Sequence, residues 1–167
     1  LKVEVHEKQG IKNEMKHFTD RSGFLAFASS NPSKNSNTLL LAYSRLQPDF
    51  RSRHPLQLIL PEDGAFRESL MKQAASLGLS QQLMMIDGAD DSKLMECMTN
   101  ARVFILPSLR EGFGLPAIEA AAAGMLVLAS DIDVLREVMK EGAWYFDPRS
   151  AESLAEMMQS IEADQLI

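Results

Sequence analysis

Two carboxylates, Glu111 and Glu119, bracket a short segment that contains two glycines, Gly112 and Gly114. Carboxylate oxygens accept paired hydrogen bonds from vicinal hydroxyl groups, which a ribose or another sugar offers. Glycine has no Cβ, so the backbone at these positions can adopt unusual dihedral angles and let a ligand approach main-chain N–H groups closely. These residue types at this spacing predict a ligand site.

The flanking residues predict a strand before this segment and a helix after it. The apolar run from Val103 to Leu106 is typical of a buried parallel strand. Pro116 suits the first turn of a helix, which we expect to run to Ala123 and to stop at Gly124. The N-terminus of that helix would direct unpaired N–H groups and a partial positive charge at the loop, an arrangement that binds phosphate. We therefore expect a diphosphate ligand.

A simpler interpretation of the two glutamates needs no ligand. Glu119 would then only complement the helix dipole, an effect worth roughly 0.3 to 1 kcal/mol, and Glu111 would be a solvated loop charge. Each glutamate taken singly fits both interpretations. The combination of both with the glycine loop favours the ligand site.

The stretch PSLREGFGLPAIEAAAAGMLVLASD, followed by Glu137 and by WYFDP, resembles the donor-binding half of retaining glycosyltransferases of the GT-B fold, in family 4, the glycosyl transferases group 1. That family's motif is two glutamates separated by seven residues, the spacing of Glu111 and Glu119. The order of elements from Phe24 to Ile161 also resembles the C-terminal domain of the family.

The resemblance implies a role for each matching residue. Glu119 would bind the ribose of a nucleotide sugar, and Glu111 would hold a hydroxyl of the donor sugar. Lys34 would neutralise the diphosphate and stabilise the departing nucleoside diphosphate, so Lys34 and Glu111 are the expected catalytic residues. The other residues expected to contact the donor are Ser30, Asn31, Gly88, Gly112, Phe113, Gly114 and Leu115.

The segment before Lys34 departs from the family's pattern. An arginine usually stands a few residues before the lysine, after a glycine, whereas this chain has Ala28-Ser29-Ser30-Asn31. Neutral Ser30 and Asn31 can donate hydrogen bonds, but such bonds stabilise a diphosphate less than charge-assisted ones. Pro61 also stands where the family commonly has a glycine. These changes bear on catalytic competence more than on the fold.

By resemblance, the parent protein is expected to be a hexosyltransferase that moves a sugar, with retention, from a UDP- or GDP-sugar to a glycan, lipid or other acceptor. No metal or other cofactor is expected, because Lys34 and the helix N-terminus would supply the positive charge. Two alternatives stay open: a degenerate, non-catalytic module for nucleotide-sugar binding or assembly, and a nucleotide-sugar epimerase of the same broad fold.

Strand and helix patterns alternate six times, which predicts an α/β fold with a doubly wound, parallel six-stranded sheet, Rossmann-like and equivalent to one half of a GT-B fold. The expected strands are Phe24 to Ala28, Leu56 to Leu60, Leu83 to Ile86, Val103 to Leu106, Leu126 to Ala129 and Ala143 to Phe146. The expected helices are Asn37 to Leu46, Ala65 to Leu77, Ser92 to Asn100, Pro116 to Ala123, Val134 to Lys140 and Ala151 to Ile161. The stretch around His54 is predicted to be a surface loop.

In such sheets, ligands bind outside the carboxyl ends of the strands, near the point where the strand order reverses. Lys34, Glu111 and Glu119 all follow strands at that edge, so the topology supports the same site by a partly separate argument. Asp131 and Asp133 follow the fifth strand, and we interpret them as N-cap residues of the next helix.

Composition excludes some partners and locations. The net charge of −6 and the pI near 5.1 argue against a nucleic-acid partner. No apolar run reaches the roughly 20 residues that span a bilayer, and no signal peptide is visible, so we expect a cytoplasmic location. The resemblance leaves open a peripheral association of the parent protein with the inner face of the membrane. Cys97, the single cysteine, is expected to be a small buried hydrophobe.

The chain is expected to hold one ligand-binding domain. Residues 1–22 are polar and weakly periodic, which predicts a linker or peripheral segment, and residues 23–167 form the expected nucleotide-sugar-binding Rossmann-like domain. A GT-B enzyme carries its acceptor site on a second, N-terminal domain, which we expect to lie outside this chain. The isolated domain would then bind the donor without transferring sugar, because transfer needs both reactants held together.

Overall fold

The computed structural model describes residues 20–162, which form a parallel sheet with helices on both faces. Its strands are β1 (Phe24–Phe27), β2 (Leu56–Leu60), β3 (Leu83–Asp87), β4 (Val103–Leu106), β5 (Leu126–Ser130) and β6 (Trp144–Phe146). They are ordered β3-β2-β1-β4-β5-β6, and all neighbours are parallel. The doubly wound, Rossmann-like fold is confirmed, and each predicted strand end is correct to within one residue.

Seven α-helices surround the sheet within residues 20–162, and a short 3-10 turn (Pro32–Lys34) precedes the first. The helices are α1 (Ser36–Ser44), α2 (Pro48–Arg53), α3 (Gly64–Ser76), α4 (Asp91–Asn100), α5 (Leu115–Ala122), α6 (Asp133–Met139) and α7 (Ala151–Gln159). All but α2 lie within two residues of the predicted bounds.

The helix α2 corrects the predicted loop around His54. Pro48 occupies the first turn, and the Phe50 ring is buried with its centroid 4.6 Å from that of His54. His54 itself is buried, and its Nε2 lies 2.8 Å from Glu162 Oε1. A helix of six residues is too short to show the helical period in sequence, so tertiary burial of Phe50 decides the structure here.

Two apolar cores cover the two faces of the sheet. On one face, Leu39 of α1, Leu70 of α3 and Leu154 of α7 are buried against the strands. On the other face, α4, α5 and α6 bury small and flexible side chains such as Cys97 and Ala117. Burial raises the pKa of the Cys97 thiol, as expected for a small buried hydrophobe.

The predicted capping of α6 by Asp131 or Asp133 is wrong. The N-cap is Ile132, which makes no side-chain cap bond, and Asp133 is already the first helical residue. The Asp131 carboxylate instead pairs with the Arg136 guanidinium, with Oδ2 2.7 Å from Nη2, and this pairing lowers the pKa of Asp131. A two-pronged ion pair outcompetes a single bond to a backbone N–H.

Only the end of the predicted linker, residues 1–22, is described; residues 1–19 lie outside the described part. The backbone N–H of Ser22 donates to the Asn100 carbonyl at 3.2 Å. The Arg21 side chain is 6% exposed, and its Nη1 donates to the Ala123 carbonyl at 2.9 Å. These two bonds attach the segment to the C-terminal ends of α4 and α5, where a positive charge also favours the helix dipole.

Candidate functional site

The loop between β4 and α5 follows a central strand at the point where the strand order reverses, since β4 pairs with β1 on one side and β5 on the other. Gly114 is the N-cap of α5 with φ +76°, and a Cβ there would lie 2.5 Å from Leu135 Cδ2. The positive φ favours glycine at Gly114, and a side chain there would also have to displace the end of the buried Leu135 side chain. Gly112 has neither constraint, so the expected unusual backbone is found at only one of the two glycines.

Lys34 and Glu111, which are 77 positions apart in sequence, form an ion pair at this edge. Lys34 Nζ lies 2.8 Å from Glu111 Oε1, and Ser108 Oγ donates to the same oxygen at 2.6 Å. The Glu111 side chain is 8% exposed and that of Lys34 36% exposed. The pair thus presents a cation at the surface, held in place by a nearly buried carboxylate.

The loop that carries Lys34 is built by local capping and by contacts to its neighbours. Asn31 Oδ1 accepts from the Ser33 N–H at 3.0 Å, which begins the 3-10 turn. The Leu109 N–H donates to the Ser33 carbonyl at 2.7 Å and joins this turn to the β4–α5 loop. Ser30 is exposed beside Asn31 on the same edge. The two residues expected to replace the family's arginine are thus neutral and accessible.

Asn35 is a structural residue that the sequence analysis missed. It adopts φ +59° between the 3-10 turn and α1, and its Nδ2 donates to the Pro107 carbonyl at 2.9 Å and to the Pro148 carbonyl at 2.7 Å. It therefore fastens together the loops that follow β1, β4 and β6. The available signal was asparagine directly after a short capped turn, because asparagine tolerates the left-handed conformation better than most residues.

Glu119 lies on α5 about 7 Å along the helix axis from Gly114, at 1.5 Å per residue. It is exposed and lines a cavity of about 540 Å³ between α4 and α5, with Leu94, Met95 and Met98 on the opposite wall. No hydrogen bond or ion pair engages its carboxylate within residues 20–162. The structure does not bring Glu119 into contact with the Lys34–Glu111 pair, although all three residues follow strands at the carboxyl edge of the sheet.

A second cavity, which we call the central groove, crosses the carboxyl ends of β1, β2 and β3 and has a volume of about 380 Å³. Its lining residues are Phe27, Ala28, Ser29, Lys34, Ile59, Leu60, Pro61, Gly88 and Ala89. Lys34 and Gly88, both predicted to contact the donor, thus share one groove. Phe113, on the β4–α5 loop, and Leu115, the first residue of α5, are also predicted to contact the donor, and both are more than half exposed.

The described residues offer no ready metal site. Between residues 20 and 162, no group of three or more His, Cys, Asp or Glu side chains is placed to hold a metal ion. The expectation that donor binding needs no metal stays a prediction. None of the helices in the same range is long and apolar enough to cross a membrane.

The chain is similar to known proteins in both sequence and fold. The chain is 32% identical over 142 residues to the serotype-specific mannosyltransferase WbdA of Escherichia coli, covering 84% of this chain and 17% of that protein. It is 36% identical over 76 residues to GDP-mannose:cellobiosyl-diphosphopolyprenol alpha-mannosyltransferase of Komagataeibacter xylinus, covering 46% of this chain and 19% of that protein. The chain thus spans less than a fifth of the length of either relative.

Among solved structures, the C-terminal domain of the group 1 glycosyl transferase LpcC of Francisella tularensis matches with a TM-score of 0.72 and 22% identity, over 93% of this chain and 86% of that one. This match shows a shared fold. A family model, described as glycosyl transferases group 1, matches residues 7–166. Because that model spans almost the whole chain, the chain belongs to the glycosyl transferases group 1 family.

Proposed function

We propose that this chain binds a nucleoside diphosphate sugar at the carboxyl edge of its sheet and supplies the donor half of a retaining sugar transfer. The observation that carries the proposal is the Lys34–Glu111 ion pair, which lies where the strand order reverses and where such sheets bind ligands. The chain's family membership supports a transferase rather than an epimerase.

Lys34 and Glu111 contact different parts of the donor. The Lys34 ammonium lies beside the diphosphate and stabilises the negative charge that develops as the bond between the anomeric carbon and the phosphate oxygen breaks. Glu111 holds that ammonium and accepts a hydrogen bond from a hydroxyl of the donor sugar. Because Ser108 fixes the same carboxylate, its orientation is set before the donor arrives.

The remaining contacts extend from this pair. The N–H groups at the start of α5 meet the diphosphate, and backbone groups from Gly112 to Leu115 approach the sugar. Glu119 accepts hydrogen bonds from the two ribose hydroxyls. Ser30 and Asn31 add neutral donors where a second cation would otherwise stand.

For the donor itself we propose a GDP-sugar, with mannose as the transferred sugar. The support comes from relatives: WbdA is described as a mannosyltransferase, and the Komagataeibacter relative is described as using GDP-mannose. The acceptor site belongs to the rest of the parent protein, so the isolated chain binds the donor without transferring it. We place that parent in the cytoplasm, with peripheral attachment to the membrane where the acceptor is a lipid.

Calorimetric titration of the chain with GDP, UDP and ADP tests the proposal. We expect saturable binding of GDP, weakened about tenfold or more by Lys34→Ala and by Glu119→Ala, since each loses a charge-assisted bond. Lys72→Ala is the matched control, because Lys72 is an exposed lysine on α3 that pairs with the exposed Glu68. A folded chain that binds no nucleotide at millimolar concentration contradicts the proposal.

A non-catalytic module is the second candidate, and the neutral stretch at Ser30 and Asn31 favours it. A leaving diphosphate that meets one lysine and no arginine is stabilised less than one that meets both. Turnover of GDP-mannose by the full-length parent separates the two functions. Donor binding by the chain with no transfer by the parent, in the presence of candidate acceptors, would favour the module.

A further inference from the structure

The central groove differs in chemistry from one end to the other. Lys34 lines it at the end of β1, and Gly88 lines it at the end of β3. Because β2 lies between these strands and neighbouring strands are about 4.8 Å apart, the two ends are separated by about 10 Å. Ile59, Leu60 and Pro61, at the end of β2, form an apolar floor between them.

A carboxylate lies beside the Gly88 end of the groove, on Glu62, an exposed residue next to the groove's lining. Glu62 directly follows Pro61, and its side chain lies against the Gly88 backbone so closely that a Cβ added to Gly88 would be 2.6 Å from Glu62 Oε1. Gly88 also has φ +54°, so a side chain there would be strained as well as crowded. A side chain at position 88 would have to displace the end of the Glu62 side chain.

Glu62 is free to bind a ligand, whereas the other carboxylates beside it are engaged. Asp63 Oδ1 accepts from the Phe66 N–H at 3.0 Å and caps α3, and Asp87 pairs with the Arg67 guanidinium. Within residues 20–162, the Glu62 carboxylate makes no hydrogen bond or ion pair. The central groove therefore has a cation at one end and an apolar floor, and an exposed, unpaired carboxylate lies just outside its other end, beside Gly88.

This charge pattern fits one nucleotide base better than the others. Guanine presents two adjacent donors, N1–H and the N2 amino group, which match the two oxygens of a carboxylate. Uracil presents a single N3–H between two carbonyl oxygens, and adenine places a ring-nitrogen acceptor beside its amino group. A carboxylate repels those acceptors, so it both attracts guanine and rejects its competitors.

We propose that Glu62 reads the N1–H and N2 amino group of guanine and so selects guanosine diphosphate donors. The proposal rests on the proposed function, because it places the diphosphate at Lys34 and the base at the Gly88 end. Glu62 is then a specificity-determining residue that touches the donor but no reacting atom.

Nucleotide titrations of this chain test the assignment with GDP, IDP, UDP and ADP. IDP is the informative probe, because hypoxanthine keeps N1–H and lacks the 2-amino group. We expect affinity to fall from GDP to IDP to UDP and ADP. Glu62→Ala should weaken GDP about tenfold or more and strengthen UDP, because the repulsion of the uracil carbonyl oxygens is lost. Glu62→Gln should have an intermediate GDP affinity, because its amide keeps one acceptor oxygen.

Glu141→Gln is the control for the loss of one negative charge, since Glu141 is exposed in the turn between α6 and β6. Circular dichroism checks that each variant is folded. Equal binding of all four nucleotides, or a GDP affinity that survives Glu62→Ala, overturns the inference while donor binding stands. A folded wild-type chain that binds none of them overturns the proposed function and this inference together.

Discussion

The Glu111 carboxylate is nearly buried, and its stability depends on the two groups that donate to it, Lys34 and Ser108. A buried carboxylate that loses its cation is left with an uncompensated charge, which is costly. Before the donor binds, Lys34 is therefore held by Glu111, the residue that would also bind the donor sugar. Nucleotide binding must compete with, or add to, this existing ion pair.

This competition gives a prediction at the residue scale for Glu111→Gln. The substitution removes the charge that holds Lys34, so the ammonium becomes free for the diphosphate, and we expect GDP to bind as tightly as in the wild type or a few-fold more tightly. The additional affinity of GDP-mannose over GDP should fall, because the sugar hydroxyl loses its charged acceptor. Calorimetry with both ligands measures this ratio. A Glu111→Gln chain that loses GDP affinity as strongly as Lys34→Ala contradicts the division of roles.

At the scale of elements, three loops that follow β1, β4 and β6 meet at Asn35. Its side chain donates to carbonyls of two of them, and its own backbone turns the chain from the 3-10 turn into α1. The loops that carry Lys34 and Glu111 are therefore positioned by one residue that we do not expect to touch the donor. The geometry of the ion pair depends on this junction.

Asn35→Ala and Asn35→Gly separate the two contributions of this junction. We expect Asn35→Ala to lower the free energy of unfolding by about 2 to 4 kcal/mol, because it loses three side-chain hydrogen bonds, to Pro107, Pro148 and Thr38, and leaves a strained positive φ. Asn35→Gly keeps the conformation accessible, so it should cost less than the alanine variant and report mainly the lost bonds. Urea denaturation measures both values. Equal and small losses in the two variants would show that the junction tolerates other side chains.

Strands and helices were predictable from sequence where the hydrophobic pattern is long enough to show its period. Contacts between residues far apart in sequence were not predictable. The six strands and six of the helices follow from apolar runs and helical periodicity, and the Glu111–Glu119 segment follows from its residue types and family resemblance. Helix α2 was missed because burial of Phe50, not periodicity, stabilises it. The Lys34–Glu111 pair and the place of Glu62 over Gly88 join residues far apart in sequence, so only the sheet order reveals them.

At the scale of the whole molecule, each face of the sheet combines an apolar core with a cavity. On one face, a cavity of about 450 Å³ lies between the start of α1 and α3. On the other face, α4 and α5 line the cavity that contains Glu119. Residues 21 and 22 bond to the C-terminal ends of these same two helices. The entering chain is thus attached to the elements that carry the proposed ribose contact, at the end opposite the ligand.

The proposed donor contacts predict where GDP protects the chain from hydrogen exchange. At a concentration one hundred times its Kd, a ligand that binds only the folded state adds about 2.7 kcal/mol to global stability, which slows exchange through global unfolding everywhere. Local opening should slow further only in the loops after β1, β2, β3 and β4 and in the first two turns of α5, where the donor contacts are proposed. Mass spectrometry of exchange with and without GDP measures this pattern. The Lys34→Ala chain at the same GDP concentration is the control, and it should lose most of the local protection. Protection centred on α7 or on the amino ends of the strands would place the nucleotide elsewhere and contradict the proposed site.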